Sequence, residues 1–256
     1  MCLELLLRGI SEIGDFWYQG KATVQPEHFA SALVLRRLDA LIAASPSPTR
    51  EEKILIGCPA KEEHVLAALI ATLVLRRQGW DVIYLGANVP LENLEQAVQR
   101  TSAELVILLA SQLNTAANLY TAACSLQSAG IPVAFAGSIF SKQVRLKQRI
   151  PGYYLGEHLE RIVNEVEIGL KIPSRAYDIL VSRNEYQLAK SCIEDHQAAI
   201  KADIWNELHQ NGISDQIYLL VNDTLMQDIL SALTLDSLDS LEMEIEWVQV
   251  LLDHQR

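Results

Sequence analysis

Basic residues are scarce in this 256-residue chain, with 21 Lys and Arg against 32 Asp and Glu and a formal net charge of −11. A duplex-binding surface needs clustered positive charge to neutralise phosphates and release their counterions. The chain has no such cluster, so direct nucleic-acid binding is not expected. The imbalance is local: residues 173–256 hold five Lys or Arg and fifteen Asp or Glu, and so carry −10 of the total. No apolar run approaches the roughly 20 residues of a membrane-spanning helix. Met1 to Gly9 lacks the charge, apolar core and cleavage site of a secretory signal. A cytoplasmic protein without a membrane partner is the simplest expectation. The four cysteines, Cys2, Cys58, Cys124 and Cys192, are widely scattered. Without Cys-x-x-Cys spacing they indicate neither a zinc site nor a disulfide framework, and they read as buried or inert thiols. Also missing are a Gly-x-Gly-x-x-Gly loop, a Walker sequence and a nucleophile elbow. Hydrolytic and nucleotide-driven chemistry therefore has no support, and the chain is read as a non-enzyme.

Half of the residues are hydrophobic, enough for a sizeable core and more than one packing unit. Residues 1–44 read as two helices joined by a turn around Gly20, the second opening near Pro26. Residues 45–52 form a linker within the proline- and serine-containing stretch that starts at Ala44. From Lys53 to Ile172 the pattern alternates. Strands are expected near Ile54, Val82, Leu105, Val133 and Tyr153, and helices starting near His64, Leu91, Thr115, Phe140 and Glu157. Five strands separated by helices imply an α/β unit with a parallel, doubly wound sheet. Residues 173–256 read as an acidic helical extension. Leu188, Cys192, His196, Ile200 and Ile204 mark one helix face there, and Leu238, Leu241, Ile245, Val248 and Leu252 form a narrow apolar seam about two heptads long.

The most informative residue is His64. It falls between the strand Lys53 to Gly57 and the amphipathic helix Val65 to Gly79, in the first strand-to-helix connection. In open α/β sheets ligands bind outside the carboxyl ends of the strands, where the strand order reverses. Glu62, two residues earlier, can accept a hydrogen bond from one ring nitrogen and leave the other free for a metal. An unaccompanied loop histidine is more often not a ligand, so the neighbouring residues decide its reading.

Glu62-x-His64-x-x-Ala67 resembles the Asp/Glu-x-His-x-x-Gly signature of cobalamin-binding domains. Ser111-x-Leu113 and Ala136-Gly137 follow in the family's order, and Tyr84 to Pro90, YLGANVP, resembles its second-strand ending. Upstream, Trp17 followed after nine residues by Glu27-His28 is similar to the helical cap of adenosylcobalamin-dependent photoreceptor repressors. The resemblance covers roughly residues 1 to 172. It implies a flavodoxin-like, Rossmann-like sheet in the order 2-1-3-4-5 between an N-terminal helical cap and a C-terminal helical region. It also implies cobalamin, with adenosylcobalamin favoured over the methyl and hydroxo forms. His64 becomes the lower ligand of cobalt and Glu62 the acceptor that orients it.

By the same resemblance, Ser111, Leu113, Ala136 and Gly137 belong to the pocket for the nucleotide tail, and Trp17, Glu27 and His28 cover the upper face of the corrin. Ser111 either bonds the tail base or caps the next helix, and Gly137 either admits a close approach or makes a tight turn. Trp17 is either a lid or a core residue, and Glu27 and His28 otherwise brace their helix. Ala67 and Ala136 stand where the family has glycine, and their methyl groups narrow the tail channel. Tyr18 stands where some of these photoreceptors have a histidine.

The leading expectation is a cobalamin-binding sensory or regulatory protein, a photoreceptor in its narrowest form. The repressors carry a DNA-binding domain ahead of the cap, whereas this chain begins inside the cap. Any transcriptional role is therefore expected to run through a transcription regulator or another signalling protein. A corrinoid methyl carrier is one alternative. A domain that binds another tetrapyrrole, or none, and acts as an interaction scaffold is the other. The C-terminal helices either complete the cap, which is two helices short of the family's four, or form a homodimer, the preferred arrangement.

Overall fold

Continuous apolar runs become the middle of the sheet in the computed structural model, which describes residues 24–173, 177, 183–210, 215–242 and 245. Strand β1, Lys53–Pro59, is buried at every position after Lys53, and β3, Leu105–Leu109, is buried throughout. Strands covered on both faces need no polar alternation, which explains KILIG and LVILL. Strand β2, Asp81–Val89, lies at one edge with only Val82 fully buried. Strand β4, Val133–Ala136, follows β3, and the two-residue β5, Tyr153–Tyr154, closes the other edge. All pairings are parallel, in the order β2-β1-β3-β4-β5. The chain direction across the sheet therefore reverses between β1 and β3.

Helices cover both faces. On one lie α2, Leu66–Arg77, and α6, Ile162–Gly169; Ala68, Ala71, Leu75 and Val166 pack there against Ile54, Ile56, Leu105 and Ile107. The other carries α3, Leu94–Thr101, α4, Leu113–Ser128, and the short α5, Ser138–Lys142. Its core joins Leu55, Val106, Leu108, Leu119, Phe135 and Phe140.

The N-terminal helix α1, Val24–Ala43, carries Pro26 in its first turn, where the missing N–H costs nothing. It packs outside α2, with Val34 and Leu38 against Leu69, Ile70 and Leu73. Each such buried aliphatic side chain contributes about 1.5–3 kcal/mol. The linker then docks on the α2–β2 turn. The amides of Thr49 and Arg50 donate to Gly79 O at 2.8 and 2.9 Å, and the Arg50 guanidinium lies 3.8 Å from the Trp80 ring centre. Trp17, Tyr18 and the turn at Gly20 lie outside the described residues.

The C-terminal region departs from the expected pattern in three ways. Helix α7, Asn184–Gln210, exposes Leu188, Cys192 and His196, and its partly buried side instead carries Ala189, Ile193, Gln197, Ile200 and Ile204. Three of the five residues of the expected face are thus turned toward solvent. Leu238 opens a 3-10 turn, Leu238–Ser240, and is 42% exposed, so the seam does not begin as an α-helix. Leu241 packs on the core and Ile245 is 52% exposed, while Val248 and Leu252 lie outside the described residues. Finally, α8, Asp215–Thr234, packs on α4, across the sheet from α1. It extends the α/β core through the fully buried Ala232 and Leu235 and does not complete a bundle with α1. Arg149 fixes this join, with Nε on Leu235 O at 2.7 Å and a guanidinium nitrogen 2.8 Å from Asp236.

Candidate cofactor site

The reversal of strand order leaves a crevice at the carboxyl ends of β1 and β3, and Glu62 reaches across it. The β1–α2 connection turns back at Glu62, whose amide donates to Pro59 O at 3.0 Å. The Glu62 side chain is fully buried, and both of its oxygens are used. Oε1 lies 2.6 Å from His64 Nδ1 and accepts the His64 amide at 2.9 Å. Oε2 accepts the Ser111 amide at 2.5 Å and the Thr115 hydroxyl at 2.7 Å. Thr115 Oγ1 also lies 3.0 Å from Gln112 O, but its single proton goes to the shorter, charged contact. Burial pushes the Glu62 carboxyl up. The bonds from the His64 ring, Thr115 and the two amides outweigh that and hold it below its ordinary value.

The carboxylate also sets the tautomer of His64. With Nδ1–H donating to Glu62, the lone pair lies on Nε2, and the imidazole is 61% exposed. Its proton affinity is raised mainly by the Glu62 hydrogen bond, against the opposing pull of partial burial. Cys58, beneath the loop, is buried and its Sγ faces His64 O at 3.9 Å. Burial and the nearby Glu62 and Glu63 push its thiol up to about 12, so it is not a thiolate ligand.

A cavity of about 270 Å³ opens at the ends of β3, β4 and β5, between α2 and α6. Its walls include Ala67, Leu109, Ala136, Gly137, Leu155 and Ile162. Gly137 has φ +132°, and a Cβ there would stand 1.8 Å from Ala110 O. Glycine is thus required by the close passage of two backbones. Ala67 is exposed at the mouth on α2.

Six of the ten expected site residues come together here: Glu62, His64, Ala67, Ser111, Ala136 and Gly137. Ser111 acts through its backbone, since its amide binds Glu62 and its carbonyl accepts from Ser138 Oγ at 3.4 Å; the helix-capping position is taken by Gln112. Leu113 is 1% exposed and packs in the core beneath α4, away from the cavity. His28 is on the exposed side of α1, the Glu27 side chain is outside what the structure describes, and Trp17 lies outside the described residues. Sequence reasoning missed Thr115. Its position at the third residue of α4, four after Ser111, was the available clue, because that turn faces the strand ends.

This constellation fits a corrinoid. Among the described residues no group of three or more His, Cys, Asp or Glu side chains is placed to hold a metal ion. Cobalt inside a corrin ring has most of its coordination already filled and would ask little more than one further ligand of such a site. His64 Nε2 would be free to hold such a metal, and the apolar cavity at the strand ends would suit an aromatic base. Among the described residues no helix is long and apolar enough to cross a membrane.

The B12 binding domain family matches residues 52–163. Over 138 residues, 53% of this chain, the sequence is 33% identical to the HTH-type transcriptional repressor CarH of Myxococcus xanthus. Over 108 residues, 42% of this chain, it is 36% identical to the repressor CarA of the same organism. These matches span 46% and 35% of the two repressors, so the likeness covers less than half of either. In fold the chain is similar to the monomethylamine corrinoid protein of Methanosarcina barkeri, with a TM-score of 0.52, 16% identity, and coverage of 64% of this chain and 80% of that one. Sheet order, the Glu62–His64 pair and these likenesses agree: residues 52–163 match the B12 binding domain family, and part of the chain is similar in sequence to the CarH and CarA repressors.

Proposed function

We propose that this chain is a cobalamin-binding sensory or regulatory protein, with the corrin between its N-terminal helical segment and the α/β unit. The observation that carries this reading is the buried Glu62 carboxylate holding His64 Nδ1 at 2.6 Å while the ring stays 61% exposed. His64 is the lower ligand of cobalt in place of the vitamin's own base, and Glu62 fixes its tautomer. Ala67, Ala136 and Gly137 line the tail pocket, with Ser111 at its margin. Trp17, Glu27 and His28 cover the upper face, and adenosylcobalamin is the favoured form. When bound, adenosylcobalamin would supply a cobalt–carbon bond that light can break, and light is the signal in the narrowest form of this reading.

Similarity to two repressors favours regulation over methyl transfer. The acidic character of residues 173–256 favours action through a transcription regulator or another signalling protein, without direct contact to nucleic acid. The uncovered Leu188 and Ile245, 64% and 52% exposed, support a homodimer. A cytoplasmic location accords with a regulatory role.

Absorption of the protein purified in darkness tests the cofactor. A corrinoid spectrum is expected; a haem or bilin spectrum, or none after incubation with adenosylcobalamin, contradicts the reading. Light scattering on the full chain tests assembly, and a monomer defeats the homodimer.

A further inference from the structure

Two asparagines from different elements hold the backbone of Ala60, Lys61 and Glu62, the stretch that presents His64. From α4, Asn118 Nδ2 donates to Ala60 O at 2.7 Å. From the end of β2, Asn88 Oδ1 accepts the Lys61 amide at 2.7 Å, and the Asn88 amide donates to Glu62 O at 3.0 Å. The loop offers a carbonyl, an amide and a carbonyl in succession, and each meets a partner of the opposite kind. Neither asparagine lines the cavity at the strand ends, so neither is placed to touch a group bound there.

The backbone explains why such a clamp is needed. Lys61 and Asn88 both have positive φ, +68° and +51°. Non-glycine residues persist there only where their surroundings over-determine the conformation. The β1–β2 register shifts after Ile56 and again after Gly57, which brings Pro59 opposite Val89 and carries Asn88 beside Lys61. On the other side Asn118 follows Thr115 by three residues, so one face of α4 grips both the Ala60 carbonyl and the Glu62 carboxylate. The loop is thus held from both flanks by groups that need no ligand.

We propose that Asn88 and Asn118 are positioning residues that pre-form the lower-ligand loop, so that the His64 imidazole is aimed before the cofactor arrives. The proposal rests on His64 being the lower ligand. Its consequence is kinetic and spectroscopic: without the clamp the loop must be ordered during binding, which lowers the fraction of protein competent to coordinate cobalt.

Asn118→Asp keeps the size of the side chain and removes its donor. Asn88→Gly removes the acceptor while suiting the positive φ. Amide hydrogen exchange in the cobalamin-free protein reads the clamp directly. Residues 60–64 are expected to exchange about tenfold faster in both variants, the size of one lost net hydrogen bond, with the β1 and β3 amides unchanged. Asn88→Asp retains an acceptor oxygen for Lys61 and is expected to restore slow exchange. With hydroxocobalamin as the probe, both disruptive variants are expected to bind about tenfold more slowly and to show a smaller imidazole-coordinated fraction. Wild-type exchange and wild-type binding in both variants overturn the proposal. A wild-type protein whose bound hydroxocobalamin shows no imidazole coordination defeats the His64 assignment instead, and exchange alone then decides the clamp.

Discussion

Thr115 and Glu62 are 53 positions apart in sequence, yet the Thr115 hydroxyl donates to Glu62 Oε2 at 2.7 Å across the point where the strand order reverses. The bond ties the first turn of α4 to the loop that presents His64. Thr115→Val keeps the shape and removes the donor, leaving a buried carboxylate oxygen with only the Ser111 amide. A loss of about 1–3 kcal/mol is expected. Urea unfolding checks it: a lower midpoint at constant slope, restored mostly by Thr115→Ser, and contradicted by an unchanged midpoint.

Glu62→Gln separates charge from shape. Glutamine fills the same space, but it is neutral and cannot accept all four hydrogen bonds as a carboxylate does. Loss of the partner that orients a ligating histidine commonly costs about 10–100-fold in affinity. Titration with hydroxocobalamin is expected to show that loss together with weakened imidazole coordination; wild-type affinity and spectrum contradict the orienting role.

Gly137 and Ala67 line the same cavity and are expected to respond oppositely to one methyl group. Gly137→Ala drives a Cβ into Ala110 O at φ +132°, so the chain is expected to lose more than about 1 kcal/mol of stability without any cofactor present. Ala67→Gly costs up to about 1 kcal/mol of helix stability but widens the cavity mouth, and tighter cobalamin binding is expected. An unchanged or weaker affinity removes methyl crowding as a factor.

Leu235→Ala tests whether the C-terminal helix belongs to the domain core. Leu235 is fully buried in the core cluster that also holds Ala116 and Leu119, and truncation of such a residue costs about 2–5 kcal/mol. Unfolding of the full chain, followed through near-ultraviolet circular dichroism, is expected to shift to lower urea as one transition. If the helix were an independent arm, the main transition would stay in place.

The α/β core was legible because its physics is local. KILIG and LVILL are buried on both faces and read directly as strands, and each is followed by a helical period. The place of His64 at the crevice was legible because a loop after the first such strand lies there by topology. Thr115, Asn88 and Asn118 were not, because each acts on a residue 27 to 58 positions away. Leu113 was expected in the pocket, but as the first residue of α4 it turns into the core. In α7 the apolar spacing around Leu188 and Cys192 was real, but those residues are exposed, and the neighbouring Ile193 is on the partly buried side. Periodicity identifies a helix more surely than it identifies which side is covered.

The most direct test of the account is the absorption spectrum of cobalamin bound to His64→Ala. The imidazole is mostly exposed, and without it Glu62 still accepts the two backbone amides and the Thr115 hydroxyl, so the fold is expected to survive, as circular dichroism can verify. The wild-type protein is expected to hold hydroxocobalamin with imidazole coordination, and the variant to bind it more weakly with that signature gone. Equal spectra and equal affinity in the two proteins would contradict His64 as the lower ligand.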